Sequence, residues 1–381
     1  MAASADPPGL DVRALQAHLR EAIPGLLQGP LRAELISGGR SNLTYRLGDG
    51  VRRWVLRRPP LGHVLATAHD MGREFRVLRG LHGTPVPVPR PLLQGGPQIL
   101  GAPFYVMDHV DGVVLRDRAD LAAFSPAAAR ELAEELVDVL CRLHAIDPAA
   151  VGLADLGRPE GYLDRQLKRW ERQLAASHTR ELPELIRLGS RLAVKVPRSA
   201  SASIVHGDYR LDNLVVDLTP PSGIPDDGEG AARPRVAAVL DWELATLGDP
   251  LADLASTVVW WDGLRGLDSP VAAVPGDVPG WADGSAVIAE YARRSGADLT
   301  RLPWYLAFAF YKIAVIFEGI HYRQRSGLTV GEGFDRLGAL VPELTGRGHA
   351  ALDSDRLDPA VTPLAGHGTA RPQPPHPDLH G

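Results

Sequence analysis

The sequence predicts an α+β fold with two lobes: a small N-terminal lobe built on an antiparallel sheet and a larger, mostly helical C-terminal lobe. The chain has 381 residues, which is enough for two lobes with a sizeable core. Short apolar runs between Ala33 and Met107 favour strands, whereas the apolar spacing after Ser125 favours helices. We expect the lobes to span residues 1–108, after a short disordered start, and 109–352. A disordered tail is expected over residues 353–381.

The small lobe is predicted to begin with an amphipathic helix. Its apolar residues are spaced helically from Asp11 to Ile23, and Pro24-Gly25 ends the pattern. The further predicted elements are two strands between Ala33 and Leu47, a third strand over Trp54–Arg57, a helix over Ala68–Leu81 and a buried strand over Phe104–Met107.

A glycine pair lies between the first two predicted strands, in Ser37-Gly38-Gly39-Arg40-Ser41-Asn42. Glycine lets backbone N–H groups approach phosphate oxygens because no Cβ stands in the way. Most Gly-Gly pairs are simple hairpin turns, but this one precedes the other motifs described below. We therefore take Gly38, Gly39, Ser41 and Asn42 as candidate phosphate-binding residues.

The larger lobe is predicted from a series of helical stretches. Ser125-Pro126 provides an N-cap and a first-turn proline for a helix that runs to His144. Further helices are expected over Gly161–Ala175 and Glu181–Val194. The most apolar stretch, Pro303–Tyr322, is interrupted by charged side chains and carries scattered aromatics. It is therefore expected to be a buried helix rather than a membrane span.

The most informative stretch runs from Ser203 to Ala255. Two apolar runs bracket a polar loop that contains Asp208 and Asn213, and a third run, Val236 to Leu240, ends in Asp241. Asn213 and Asp241 offer the hard oxygen ligands that hold Mg²⁺ beside phosphates, and Asp208 can accept a proton from a hydroxyl. The order Asp-x4-Asn followed by a strand-ending Asp matches the phosphoryl-transfer template. The alternative is a plain turn at Asp208 and a helix cap at Asp241.

Two motifs in this stretch, H206-G-D-Y-R-L-D-N213 and L240-D-W-E-L-A-T-L-G-D-P-L-A-D253, resemble the aminoglycoside phosphotransferase family. The second motif is similar to the phosphotransferase domain fused to some acyl-CoA dehydrogenases and to its stand-alone bacterial relatives. The likeness extends from about Ile36 to about Arg325. It implies a bilobal protein-kinase-like fold, with ATP and Mg²⁺ as cofactors. It also implies that Asp253 braces the loop that carries Asp208.

The same resemblance implies roles for two arginines. Kinases carry, on the third strand, a lysine that contacts the α- and β-phosphates and pairs with a helical glutamate. No lysine precedes Lys168, so Arg57 takes that place here, with Glu74 as its expected partner. The alternative is that Arg57 and Arg58 form a solvated strand end. Arg210 is expected to meet the γ-phosphate beside the base Asp208, or else only to pair with a carboxylate such as Asp212.

The resemblance also implies a hinge between the lobes, where the backbone would contact the adenine edge. The hinge residues expected to line the base pocket are Met107, Asp108, His109 and Val110. Only about a dozen residues separate Asp241 from the helix near Asp253, which leaves no room for a peptide-docking segment. The expected partner is therefore a small-molecule hydroxylated acceptor.

The acceptor is expected to be neutral or anionic, because the apolar helix carries Lys312, His321, Arg323 and Arg325. A hydroxyacyl-CoA-type metabolite suits that charge. The alternatives are an aminoglycoside or other antibiotic kinase and a nucleotide-binding module without turnover. A third possibility is a hydrolase that uses His206 and Asp208. It is disfavoured because no serine in the sequence lies in a nucleophile-elbow context.

Bulk composition narrows the remaining classes. Charged residues make up 23% of the chain, hydrophobic ones 45%, and the net charge is −5. These values are ordinary for a soluble globular protein and give no indication of nucleic-acid binding. The first thirty residues contain charges and no long apolar run, so a cytoplasmic protein that does not bind membranes is expected. These residues do not indicate an oligomeric state.

Overall fold

The chain folds as a five-stranded antiparallel sheet followed by a larger, mostly helical region, which confirms the predicted bilobal α+β class. The computed structural model describes residues 6–36, 42–61, 70–177, 180–199, 202–218, 233–270, 273–327 and 336–354. The strands are β1 (Arg32–Leu35), β2 (Leu43–Gly48), β3 (Arg53–Arg58), β4 (Pro91–Gly95), β5 (Phe104–Asp108), β6 (Ser203–Val205), β7 (Leu214–Asp217), β8 (Arg235–Val239) and β9 (Thr246–Gly248). The helices are α1 (Val12–Ala22), α2 (Met71–Leu81), α3 (Pro97–Leu100), α4 (Arg118–Ala122), α5 (Pro126–Ala145), α6 (Tyr162–Ser177), α7 (Pro183–Val194), α8 (Pro250–Val258), α9 (Gly284–Ser295), α10 (Leu302–Arg325) and α11 (Leu337–Asp353).

The sheet has the order β1-β2-β3-β5-β4 and separates two apolar clusters. Side chains alternate between the faces of a strand, so neighbouring residues of β3 enter different clusters. Trp54 and Leu56 belong to the cluster on the α1 side, whereas Val55 belongs to the main cluster with α2 and the larger lobe. The same alternation puts Arg57 and its cross-strand partner Tyr105 on the face that looks toward the larger lobe.

Helix α1 covers the other face of the sheet, close to the predicted bounds. Asp11 is its N-cap and accepts a hydrogen bond from the backbone N–H of Ala14 at 2.9 Å. Leu15 and Leu19 are fully buried in the cluster on that face. The apolar stripe of α1 therefore closes the back of the small lobe and leaves the opposite face for the cleft.

Helix α2 is tied to the larger lobe through its first turn. Asp70 caps it by accepting the N–H of Arg73 at 3.0 Å. The Arg73 guanidinium reaches across to the carbonyl oxygens of Leu156 and Ala245, each at 2.6 Å. These bonds fix the helix beneath the sheet, with the Glu74 side chain fully buried.

Helix α10 is the central helix of the larger lobe and packs against α6, α7, α8 and α11. Of the helices in the described residues, this one is long and apolar enough to cross a membrane. However, 78% of its most apolar 18-residue stretch is buried inside the protein. Fifteen of its residues are buried, including Glu318. The helix predicted over Pro303–Tyr322 is therefore buried, as expected, and is slightly longer than predicted.

Several local predictions need correction or stay untested. The helix expected to begin at Asp253 begins at Pro250, because Asp249 caps it by accepting the N–H of Leu251 at 3.0 Å. Strand β4 was not predicted, because its sequence, Pro-Leu-Leu-Gln-Gly, has turn residues at both ends. The glycine turn with Gly38, Gly39 and Ser41 lies outside the described residues, as does most of the tail. The lobe boundaries stay a prediction.

Candidate active site

The loop that carries Asp208 runs from His206 to Asn213, between β6 and β7, and is called the catalytic loop below. Its backbone is held from behind by Asp253, whose carboxylate accepts the N–H groups of His206 at 2.5 Å and Gly207 at 2.7 Å. His206 is fully buried. Its Nε2 donates to the carbonyl of Leu240 at 2.8 Å, while Nδ1 accepts the N–H of Asp208 at 3.2 Å. The loop conformation is therefore fixed on both sides of Asp208.

Asp253 makes one further contact in the core of the lobe. His144 Nε2 lies 3.4 Å from the Asp253 carboxylate, and His144 Nδ1 lies 2.8 Å from the hydroxyl of Tyr291. Burial would raise the pKa of Asp253, but His144, His206 and the loop N–H groups together lower it below its ordinary value. The family resemblance predicted that Asp253 stabilises the catalytic loop. In the structure Asp253 does so by accepting hydrogen bonds from the loop backbone, and His144 contacts its carboxylate.

Asp208 and Asn213 are joined by hydrogen bonds within the catalytic loop. The Asn213 amide nitrogen donates to the Asp208 backbone carbonyl at 2.9 Å and to its carboxylate at 3.2 Å. Because the amide nitrogen makes both bonds, the amide oxygen of Asn213 stays available as an acceptor. The two residues that were predicted to act as base and metal ligand therefore stand side by side.

Asp241 follows β8 in a conformation that costs free energy. It is the one non-glycine residue in the described part of the chain with a positive φ, at 63°. Such a conformation costs roughly 1–3 kcal/mol and concentrates at functional sites. Asp241 stands at the N-cap position of a single 3₁₀ turn, Trp242–Leu244, but its side chain makes no capping hydrogen bond there. Instead the carboxylate lies 2.9 Å from the Arg57 guanidinium.

Arg57 links the small lobe to the larger one. Its guanidinium contacts Glu74 at 2.8 Å with one terminal nitrogen and Asp241 at 2.9 Å with the other. The predicted Arg57–Glu74 pair is therefore present. Only 8% of Arg57 is exposed, so the alternative of a solvated strand end is wrong. Burial opposes its charge, but Tyr105, Glu74 and Asp241 hold the pKa of Arg57 well above its ordinary value.

Glu74 is the shared partner of three side chains. Besides Arg57, the Tyr105 hydroxyl donates to it at 2.8 Å and the Asn42 amide at 3.3 Å. The Asn42 amide also reaches Glu243 at 3.3 Å. Burial outweighs the arginine and raises the pKa of Glu74 above its ordinary value. Asn42, which was predicted to bind phosphate, thus joins the small lobe to the residues that follow β8.

Arg210 is the second side chain that contacts the Asp208 carboxylate. Its terminal nitrogen contacts Asp212 at 2.6 Å, and its Nε lies 3.3 Å from the Asp208 carboxylate. The guanidinium also packs over the ring of Trp260, 4.5 Å from the centroid. Arg210 therefore pairs with Asp212, which was one of the two alternatives predicted for it. Its charge also lies beside Asp208.

A cavity of about 450 Å³ lies between the sheet and the larger lobe, and side chains from both line it. Asn42, Val55 and Arg57 line it from the sheet, and Arg210, Asn213 and Asp241 line it from the larger lobe. The predicted hinge residues Met107, Asp108, His109 and Val110 line its third side. One cleft thus combines hinge residues with the charged residues Arg57, Arg210 and Asp241, an arrangement that suits a nucleotide with its base at the hinge.

The donor atoms at the charged end fit a hard divalent cation. Mg²⁺ prefers oxygen ligands and binds through one or two carboxylates together with substrate phosphates. Asp241 offers a carboxylate and Asn213 an amide oxygen, and both line the cleft. The carboxylate oxygens of Glu74, Asp241 and Glu243 also lie within 4.8 Å of one another. The residues predicted to bind Mg²⁺ are therefore chemically suited to it.

The sequence did not single out several residues that shape this site. Tyr105 could have been found from strand alternation, since it opposes Arg57 on the same face. Trp260 gave no signal, because its place beside Arg210 depends on how α8 continues after Val258. Lys312, which was expected to face the acceptor, turns inward and donates to the Gly207 carbonyl at 2.7 Å. Arg323 and Arg325 are exposed near the end of α10.

Comparison with known proteins identifies the family. A model of the phosphotransferase enzyme family (APH) matches residues 32–303. Rat acyl-CoA dehydrogenase family member 11 is 34% identical over 83% of this chain, which spans only 40% of that relative's length. A Ralstonia eutropha structure assigned to the aminoglycoside phosphotransferases is 33% identical, with a TM-score of 0.73, and the match covers 90% of this chain and 98% of that one. An aminoglycoside phosphotransferase solved with GDP and kanamycin shares the fold, with a TM-score of 0.59 at 17% identity over 88% of this chain and 98% of that one. This chain belongs to the aminoglycoside phosphotransferase family and has its kinase-like fold.

Proposed function

We propose that this protein transfers the γ-phosphoryl group of ATP to a hydroxyl group of a small molecule, in a reaction that requires Mg²⁺. The observation that carries the proposal is the convergence of Asn213 and Asp241 on one cleft, with Asp208 hydrogen-bonded to Asn213. Phosphoryl transfer needs this set of groups, because positioning and charge stabilisation do most of the catalytic work.

Asp208 is the proposed base. The acceptor oxygen forms a bond to the γ-phosphorus while the bond to the oxygen that bridges the β- and γ-phosphates breaks, and ADP leaves. The proton of the acceptor hydroxyl passes to the Asp208 carboxylate. The hydrogen bond from Asn213 at 3.2 Å holds that carboxylate in place. Proton transfer of this kind contributes about 10²- to 10⁴-fold to a rate.

The cleft supplies charge on both sides of the transferring group. Asn213 and Asp241 would hold Mg²⁺, which neutralises negative charge on the phosphate oxygens. Arg57 binds the α- and β-phosphates while it keeps its contact with Glu74. Arg210, next to Asp208, stabilises the charge of the γ-phosphoryl group. Each cation is held by at least one carboxylate, which fixes its direction before the nucleotide binds.

The proposed acceptor is a hydroxylated acyl thioester of the hydroxyacyl-CoA type. Two observations support it. The exposed Arg323 and Arg325 near the end of α10 suit an anionic group better than an aminoglycoside cation. In addition, relatives at 30–34% identity carry the name acyl-CoA dehydrogenase family member 11.

The test measures ADP release with Mg²⁺ against 3- and 4-hydroxyacyl-CoAs, aminoglycosides and simple hydroxylated metabolites, with ATP and with GTP. We expect acceptor-dependent ADP release with hydroxyacyl-CoAs and formation of a phosphorylated acyl product by mass spectrometry. Efficient phosphorylation of kanamycin would contradict the proposed acceptor and favour an antibiotic kinase. Nucleotide binding without any transfer or slow hydrolysis would favour a module without turnover.

A further inference from the structure

The larger lobe contains an inward-facing lysine behind the catalytic loop. The chain has three lysines, and two of them, Lys168 and Lys195, are exposed on helix α6 and at the end of helix α7. Lys312, in the middle of α10, is instead partly buried and donates from Nζ to the carbonyl oxygen of Gly207 at 2.7 Å. Burial lowers the pKa of Lys312, and the Asp208 and Asp253 carboxylates oppose that shift. Holding an amino group here costs free energy that a hydrophobic side chain would avoid.

The carbonyl that Lys312 binds belongs to the peptide unit that leads into Asp208. The other end of that peptide unit, the N–H of Asp208, donates to His206 Nδ1 at 3.2 Å. The preceding N–H groups are held by Asp253. Lys312 therefore supplies the one side-chain donor in the described structure that fixes the carbonyl side of this peptide unit.

Gly207 makes this contact sensitive to small changes. Its φ is +86°, a left-handed conformation, and a Cβ at this position would lie 2.8 Å from the Leu244 side chain. A glycine peptide rotates easily when nothing holds it, because no side chain restricts φ and ψ. Without the Lys312 contact, rotation of the Gly207–Asp208 peptide unit would change the direction of the Asp208 side chain.

We propose that Lys312 is a positioning residue for phosphoryl transfer, which fixes the Gly207–Asp208 peptide unit so that the Asp208 carboxylate faces the acceptor hydroxyl. This inference rests on the proposed function. Lys312 lies outside the nucleotide cleft and packs instead beside Trp170, with Nζ 5.9 Å from the ring centroid. It therefore acts on the rate of transfer and not on the binding of nucleotide.

The experiment compares Lys312→Met and Lys312→Arg, with Lys195→Met as a matched control at an exposed lysine. Methionine has a similar length and no charge, so the lobe keeps its packing. We expect Lys312→Met to lower kcat about 10- to 100-fold, because a misplacement of about 1 Å can cost 10²-fold. The KM for ATP should stay within about twofold of wild type, because Lys312 does not line the nucleotide cleft. Lys312→Arg should recover part of the loss, and Lys195→Met should match wild type.

Three outcomes would contradict the inference. The first is wild-type kcat in Lys312→Met, and the second is a loss of kcat that Lys312→Arg does not reduce. The third is a rise in the KM for ATP as large as the fall in kcat. If Lys312→Met does not fold, Lys312→Leu, which also lacks a donor, carries the test, and a kcat equal to that of wild type with a lower melting temperature would assign a purely structural role. A wild-type protein that transfers no phosphoryl group would overturn the proposed function itself, whereas an active wild type with an unaffected Lys312→Met overturns only this inference.

Discussion

Strand β3 and the catalytic loop each have one side that faces the cleft and one side that faces the core. On the two sides of β3, the same type of residue has different partners. On β3, Arg57 faces the cleft and contacts the side chains of Glu74 and Asp241. Its neighbour Arg58 faces the α1 side and donates to the backbone carbonyls of Gly9 and Leu100. Both arginines are buried to nearly the same extent, at 8% and 7% exposure. Burial alone therefore does not distinguish their roles.

The catalytic loop shows the same contrast. On its cleft side, Asp208 is held by the side chains of Asn213 and Arg210. On its core side, Asp253 accepts two backbone N–H groups. Side-chain partners can rotate to meet a ligand or a metal ion, whereas backbone partners cannot move without moving the chain. We infer that the core side forms a rigid frame and that the cleft side keeps contacts that can be exchanged for phosphate and metal.

The largest expected effect follows from Asp208→Asn. Asparagine keeps the shape of the side chain but cannot accept the proton, so kcat should fall by about 10²- to 10⁴-fold. Nucleotide affinity and the melting temperature should stay at wild-type values, because the Asp208 carboxylate contacts the side chains of Asn213 and Arg210 and not the backbone frame. Transfer assays, nucleotide titration and thermal unfolding measure the three quantities. Activity close to wild type would show that the loop does not supply the base.

Asp253→Asn tests the frame. An amide in place of the carboxylate presents an N–H₂ group to the loop N–H groups and leaves at least one of them unpaired in the core. Loss of a partner in a buried charged network costs about 3–5 kcal/mol, so the free energy of unfolding should fall by that order. Denaturant unfolding measures it, and Asp208→Asn is the matched control with unchanged stability. Equal stability losses in the two variants would remove the distinction between frame and cleft.

Part of this organisation could be predicted from sequence. The spacing of Asp208, Asn213 and Asp241 identified the site, because these residues flank or end short apolar runs that become β6, β7 and β8. Strand alternation could also have separated Arg57 from Arg58, since the period of two is a local property. The core-side partners were harder to find. His144 and Lys312 come from helices far along the chain, and only the packing of α5 and α10 brings them to the loop.

The sequence also left conformational features open. Nothing in Leu240-Asp241-Trp242 indicates that Asp241 has a φ of 63°, and its ion pair joins it to Arg57 in a distant segment. The alternatives for Arg210 could not be separated either. Its contact with Trp260 depends on how the chain continues after α8.

Arg57→Lys and Arg58→Lys sharpen the contrast on β3. A lysine is a single point charge, so it cannot contact Glu74 and Asp241 with two separate nitrogens as the planar guanidinium does. We expect Arg57→Lys to lower kcat/KM for ATP by about tenfold, or 1.4 kcal/mol. Arg58→Lys should leave kcat/KM unchanged. Steady-state kinetics at varied ATP measure both. If the kcat/KM of Arg57→Lys matched or exceeded that of wild type, the two-nitrogen contact of the guanidinium would not be needed for activity.

The smallest expected effect comes from a pair of tyrosines on opposite faces of the sheet. Tyr105 donates to Glu74 at 2.8 Å on the cleft side, and Tyr45 donates to the carbonyl of Pro8 at 2.6 Å on the α1 side. Replacing either by phenylalanine removes one hydrogen bond made by a buried tyrosine, which costs about 1 kcal/mol of folding free energy. Only Tyr105→Phe should also raise the KM for ATP, by about threefold, because Glu74 then orients Arg57 less firmly. If both variants raised the KM equally, the nucleotide site would respond to sheet stability in general, and the separation of the two faces would not hold.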